Sequence, residues 1–184
     1  MGYPFILVTA VLAAIFAASG VVSLAILLSL LSLFICYFFR DPDRNIPEQS
    51  DAVVSPADGR VIKAGRVIEH PMGEGHCVKI SIFMSVFNVH VNRIPHDGKV
   101  TRIDYRPGKF FSANLDKASE QNEHNSVILE TNNGNKICFV QIAGLIARRI
   151  ICKIKAGDSV ARGERFGMIC FGFILSTNFC NSSM

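Results

Sequence analysis

The stretch FMSVFNVHVNRIP, residues 83–95, mixes apolar and polar side chains, which alternate from Asn88 to Asn92, and it ends at a proline. As a β-strand it would place Asn88, His90 and Asn92 on one face and the intervening valines with Arg93 on the other. A row of polar side chains on one strand face is unusual for packing alone. On spacing alone, a solvated face with a hydrogen-bonded histidine and a functional site are equally good hypotheses.

The sequence on both sides of this stretch predicts a β domain. Short apolar runs continue from residue 51 to residue 172, separated by Gly, Pro, Asn and Asp. Asn132–Asn135 lies between two of these runs and predicts a hairpin turn. Ser55–Val61 and Lys155–Val160 are similar Gly/Asp turns before apolar runs, which is typical of half-barrel domains. We therefore predict a mainly β, antiparallel domain of the sandwich or barrel-sandwich-hybrid type.

The first 39 residues contain no Lys, Arg, Asp or Glu. The apolar run Phe5–Phe39 would be about 52 Å long as one helix, against a hydrocarbon core of about 30 Å. It predicts a membrane anchor over residues 1–40, either a helical hairpin that turns near Gly20 or one tilted helix. Aromatic residues followed by Arg40 and Arg44 favour a location at the cell membrane, with the rest of the chain on the cytoplasmic side. Residues 41–50 are predicted to be a linker.

Composition excludes some classes of protein. The formal net charge of +4 comes without dense Lys/Arg clusters, so we expect no nucleic-acid partner. The six cysteines form no CxxC pair and the five histidines no close pair, so we expect reduced thiols and no metal site.

Several ordered segments resemble phosphatidylserine decarboxylase in its short bacterial or archaeal form. The resemblance extends over almost the whole chain up to Gly172. It is carried by YFFRDPDR at 37–44, SPADGRV at 55–61, FMSVFNVHVNRIP at 83–95, YRPGKFFSANLDKASEQNEHN at 105–125, VQIAGLIARRI at 140–150 and GDSVARGERFGMICFG at 157–172.

The resemblance implies a proenzyme that cuts itself at a Gly-Ser bond and converts the serine into a pyruvoyl group. That group would capture the amine of phosphatidylserine and withdraw electrons while carbon dioxide leaves, giving phosphatidylethanolamine. Asp58 and His90 match the family's Asp–His pair, with His90 also the candidate proton donor. No metal is implied. The resemblance further suggests substrate-binding residues at Asn88, Asn92, Arg93, Asn122 and Glu123.

The sequence departs from the family pattern at the cleavage site. Gly172 is followed by Phe173 where the family has the serine, and phenylalanine has no hydroxyl to attack a carbonyl. Ser176 is the nearest substitute, but no glycine precedes it. We therefore expect a large-subunit domain over residues 51–172 and an atypical tail over 173–184, as truncation or a frameshift would produce. The strands of the family's small subunit would then have to come from elsewhere.

Three alternatives to an active decarboxylase remain open. The chain could be an inactive, incomplete proenzyme, because Phe173 occupies the serine position. It could be a non-catalytic β domain on a membrane anchor, although Asp116-Lys117-Ala118, which is similar to a lipoyl-lysine tripeptide, lies in a polar loop. A zinc peptidase on a related fold is disfavoured by the histidine spacing. The expected partners are phosphatidylserine, membrane lipid, the small subunit and, if it self-associates, a second copy.

Overall fold

The structure, a computed structural model, describes residues 2–70, 73–111 and 121–170. It contains two helices and nine strands in the described part of the chain. The helices are α1 (Tyr3–Ala18) and α2 (Val22–Phe38). The strands are β1 (Arg60–His70), β2 (Gly73–Phe83), β3 (Val91–Arg93), β4 (Gly98–Arg106), β5 (His124–Thr131), β6 (Lys136–Ile142), β7 (Arg149–Cys152), β8 (Ser159–Val160) and β9 (Arg165–Cys170).

The N-terminal apolar run folds as a helical hairpin. The turn contains Gly20, whose φ of 81° lies in the left-handed region that glycine adopts without steric cost. The Ser32 hydroxyl donates to the Ile6 carbonyl oxygen across the two helices at 3.4 Å. The alternative of one tilted helix is therefore wrong, because the chain reverses at Gly20.

Among the residues described, neither helix combines the length and the apolar character that crossing a membrane requires.

The strands pair in antiparallel sheets, as the sequence predicts. One sheet is the β1–β2 ribbon, the second has the order β3-β9-β7, and the third has the order β6-β5-β4-β8. The predicted hairpin at Asn132–Asn135 is confirmed, since it joins β5 to β6. Thr131 N–H donates to the Asn135 carbonyl oxygen at 2.8 Å and closes this turn.

The core lies between the second and third sheets. The Phe139 ring on β6 meets the Phe166 ring on β9 edge to face, with their centroids 4.9 Å apart. Around this pair the buried cluster includes Ile94, Val100, Val127, Leu129 and Val160. Because both sheets contribute to one apolar core, their relative position is fixed, and so is the position of every polar group that they carry.

Residues 83–95 do not form one strand, which corrects the expectation from their alternating pattern. Only Val91–Arg93 is strand, and the chain turns at Ser85–Asn88. The Asn88 side chain stabilises this turn by accepting from both the backbone N–H and the hydroxyl of Ser85, each at 2.8 Å. Local side-chain bonding of this kind competes with strand pairing. The stretch 116–118 and the tail 173–184 lie outside the described residues.

Candidate active site

His90 lies at the junction of the helical hairpin and the second sheet. It directly precedes β3, and its backbone carbonyl oxygen accepts from Ile169 N–H on β9 at 3.3 Å. Its side chain is only 2% exposed. A histidine this deeply buried is fixed in place by its neighbours, so its two ring nitrogens have definite roles.

The contacts of the imidazole define its tautomer. Nδ1 lies 2.9 Å from the Asn88 carbonyl oxygen. A carbonyl oxygen only accepts, so Nδ1 carries the hydrogen and Nε2 keeps a lone pair. Burial lowers the pKa of His90, with Arg40 contributing in the same direction, while the bond to Asn88 opposes the shift. The site therefore holds a neutral imidazole whose Nε2 lone pair can accept a proton.

The last turn of α2 covers this imidazole. Phe38 is fully buried and stacks on the His90 ring, with centroids 4.2 Å apart and planes 30° apart. Phe39 packs against Phe38 edge to face at 5.2 Å. The Arg40 guanidinium then donates to the Phe87 carbonyl oxygen at 2.7 Å. The hairpin thus ends directly on the turn that holds His90.

The linker after the hairpin is held on the strands beside His90 by ion pairs. Asp41 pairs with Arg93 on β3 at 3.0 Å and with Arg165 on β9 at 2.6 Å. Asp43 also pairs with Arg165, at 2.9 Å. Arg93 further donates to the Gly163 carbonyl oxygen at 3.0 Å. These contacts place Arg93 in a structural clamp, with its guanidinium turned toward the linker.

Asp58 is located near β3 but is not hydrogen-bonded to His90. The Arg93 N–H donates to the Pro56 carbonyl oxygen at 3.0 Å, which brings the Pro56–Gly59 turn alongside β3. The Asp58 carboxylate pairs with Arg44. Both side chains of this ion pair are about two-fifths exposed, at 39% for Asp58 and 42% for Arg44. The structure therefore brings the two candidate catalytic residues to the same region without a direct contact.

A buried chain of amides connects the two sheets behind His90. Gln141 on β6 donates to Asn92 Oδ1 on β3 at 3.0 Å and to the Ile151 carbonyl oxygen on β7 at 3.3 Å. Asn125 on β5 donates to Gln141 Oε1 at 3.1 Å. The three amides are 2–4% exposed. In a low-dielectric interior such a fully paired network fixes the register of the elements it joins.

Asn122 and Glu123 organise the neighbouring loops. The Asn122 amide donates to the carbonyl oxygens of Phe111 and Ala143, both at 2.8 Å, and its Oδ1 accepts from Phe111 N–H at 2.9 Å. Glu123 contributes its backbone, donating to Lys109 and accepting from Ala143. The Asn122 amide therefore ties two loops together with backbone bonds.

Two residues of this region were not singled out from the sequence: Phe38 and Gln141. Phe38 is one of many apolar residues in α2, and nothing in its neighbours singles it out. Gln141 carried a signal, since it interrupts the apolar run of β6. A lone polar residue within a strand that otherwise packs inward indicates a buried hydrogen-bond partner on another element.

The predicted cleavage residues Gly172, Phe173 and Ser176 lie outside the described residues. The described chain ends at Cys170, directly after Ile169, which is hydrogen-bonded to His90. Within residues 2–70, 73–111 and 121–170, no three His, Cys, Asp or Glu side chains are grouped as metal ligands would be.

Comparison with known proteins agrees with the resemblance. The family model described as phosphatidylserine decarboxylase matches residues 31–173. A phosphatidylserine decarboxylase proenzyme of Syntrophus aciditrophicus is 53% identical over 93% of this chain and 81% of its own length. A proenzyme of the same name from Burkholderia pseudomallei is 48% identical over 93% of this chain and 79% of its own length. The chain therefore belongs to the phosphatidylserine decarboxylase family, whose members are carboxy-lyases.

Proposed function

We propose that the chain acts on phosphatidylserine and that His90 Nε2 transfers the proton in its decarboxylation to phosphatidylethanolamine. The observation that supports this role is the neutral imidazole, whose Nδ1–H is held by the Asn88 carbonyl oxygen. In a processed form that carried the family's electron-withdrawing carbonyl, the carbon that loses carbon dioxide would need a proton, and a histidine of lowered pKa releases one readily once it is charged.

Asp58 is the proposed acidic partner of His90. Its carboxylate now pairs with Arg44 on the linker. We infer that a role beside His90 requires Asp58 to leave this ion pair, which is inexpensive because exposed pairs contribute only about 0–1 kcal/mol. Asn88, Asn92, Arg93 and Asn122 are inferred to shape the site rather than touch substrate, since their side chains already bond to other parts of the protein. Glu123, for which only backbone bonds are described, stays a proposed substrate-binding residue.

The pyruvoyl group of the family does not fit the residue at position 173. When bound, such a group supplies a carbonyl that withdraws electrons from the substrate. It forms from a serine whose hydroxyl attacks the preceding carbonyl and is then lost by elimination, and Phe173 has no hydroxyl to make that attack. Phe173 therefore cannot be converted into a pyruvoyl group. Phe173 favours a second candidate function, that of an inactive proenzyme.

The two candidates are separated by the intact mass of the purified chain with and without hydroxylamine, which cleaves esters. Fragments that meet near Gly172 or Ser176 would support self-cleavage. A single species at the full 20.2 kDa, unchanged by hydroxylamine, would support the inactive proenzyme. Phe173→Ser tests whether the rest of the site is competent, and Phe173→Ala is the matched control because it adds no hydroxyl.

We further propose that the helical hairpin dips into the cell membrane from the cytoplasmic side, where the β domain lies. At about 1.5 Å per residue, the 16-residue helix α1 is about 24 Å long, so the hairpin can enter the hydrocarbon core along α1 and return along α2. Its outward side chains are apolar, including Leu7, Leu30 and Leu33, which are 60–67% exposed. Because its relatives are named proenzymes, we infer that a processed form would pair with a small subunit. Flotation of the protein with lipid vesicles tests the attachment.

A further inference from the structure

Four large apolar side chains outside the hairpin are exposed on loops at one end of the β domain. Phe87 is 63% exposed, Leu145 53%, Ile146 55% and Phe111 39%. Isolated exposed apolar residues are common on soluble proteins, but a cluster on separate loops indicates a contact surface. The surface formed by these four residues together with Lys109, Arg148 and Arg149 is called the loop face.

The loops of this face lie together. Strands β4, β5 and β6 have Arg106, His124 and Ile142 in register at one end of the third sheet. In the second sheet, Arg149 opposes Cys170, which follows Ile169, the partner of His90. The turn between Ile142 and Arg149 is closed by Gly144 N–H donating to the Ala147 carbonyl oxygen at 2.8 Å. It therefore joins these two sheet ends.

Basic side chains accompany the apolar ones. The Arg148 guanidinium lies over the Phe110 ring at 5.4 Å, and Lys109 lies over Phe111 at 5.6 Å. Arg149 is exposed at the start of β7. Among the described residues, Asp104 is the acidic residue nearest in sequence to these contacts, and it pairs with Arg102 at 2.7 Å. Lys and Arg beside exposed aromatic and aliphatic groups match a membrane surface, where the apolar groups enter the headgroup boundary and the cations meet lipid phosphates.

The loop face continues the hairpin. The chain leaves α2 at Phe38, on the His90 ring, and Arg40 is bonded to Phe87, which belongs to the face. If the hairpin is embedded in the membrane, the loops around its exit are the part of the β domain closest to the lipid headgroups. The occupant of the face is thus a lipid surface and not a second protein.

We propose that the loop face is a second membrane contact, in which Leu145, Ile146 and Phe87 insert at the headgroup level of an anionic bilayer beside His90. This proposal rests on the proposed membrane attachment of the hairpin. It would place the Ser85–Asn88 turn, which holds His90, at the level of the lipid headgroups.

The chain contains no tryptophan, so a single introduced tryptophan reports its own surroundings without background. Ile146→Trp places the reporter on the loop face. Asn133→Trp is the matched control, an exposed turn at the opposite end of β5, about 23 Å away at ~3.3 Å per residue. Each variant is reconstituted into phosphatidylcholine vesicles with and without phosphatidylglycerol, and emission and quenching by brominated lipid are recorded.

We expect the tryptophan at position 146 to shift to shorter wavelength and to be quenched, more strongly with the anionic lipid, while that at position 133 remains unquenched. Adding Arg149→Gln should weaken the dependence on anionic lipid. Protein that floats with vesicles but shows equal, weak quenching at both positions would overturn the loop contact and leave hairpin attachment intact. Protein that does not float at all would overturn the hairpin attachment as well.

Discussion

Replacing Phe38 with alanine should uncouple His90 from the hairpin. Phe38 is fully buried and supplies one face of the His90 environment, at a centroid distance of 4.2 Å. Without its ring, water reaches the imidazole and desolvation diminishes. Since desolvation is the main reason that the pKa of His90 is lowered, that pKa should rise toward its ordinary value of about 6.5.

The same substitution should also destabilise the protein. Truncating a fully buried phenylalanine to alanine costs about 3–5 kcal/mol, and about 0.5–1.5 kcal/mol of this belongs to the aromatic stack.

The size of this loss of stability should depend on pH. In the native protein the pKa of His90 is lower in the folded state than in the unfolded state. The contribution of His90 to the free energy of unfolding is therefore greatest above about pH 6.5. That stability falls on acidification, by at most about 1.4 kcal/mol per pH unit for one group. The alanine variant should lose less on acidification, and the gap between the two proteins should narrow at low pH.

The assay is an NMR titration of histidine-labelled protein in micelles, paired with urea unfolding at neutral and acidic pH. Phe38→Leu keeps most of the volume and should leave the pKa of His90 low. Leu33→Ala, on the same helix but 65% exposed, should change neither quantity. If Phe38→Ala folds normally and the pKa of His90 stays at the native value, the argument that Phe38 desolvates the histidine is refuted.

Three further outcomes follow from the packing. Gln141→Leu leaves its three hydrogen-bond partners unpaired and should cost about 2–5 kcal/mol in urea unfolding. Gly98→Ala should also be destabilising, because its Cβ would lie 2.3 Å from a backbone oxygen of β5, whereas Gly65→Ala meets nothing within 4 Å and should change stability little. Burial raises the pKa of the Cys138 thiol to about 11, so at neutral pH iodoacetamide should label it more slowly in the folded protein than in the urea-unfolded protein, as mass spectrometry would show.

The sequence alone determined the class of the fold and the family. Period-two alternation and Gly/Asn turns depend on local backbone chemistry, so the antiparallel β domain and the Asn132–Asn135 hairpin were predictable. The sequence also singled out His90 as a candidate site residue, because the motif around it is specific. The replacement of the family's serine by Phe173 is also fixed by the sequence, whatever the fold.

Only the tertiary structure decided what surrounds His90. The alternating pattern of residues 83–95 predicted a strand, but Asn88 bonds to Ser85 and turns the chain instead. Phe38 lies 52 residues before His90, and Gln141 lies 49 residues after Asn92, so no local pattern could pair them. Such contacts arise when two sheets and a hairpin pack against each other. The free energy of that packing depends on buried area and paired polar groups in three dimensions, which sequence spacing does not encode.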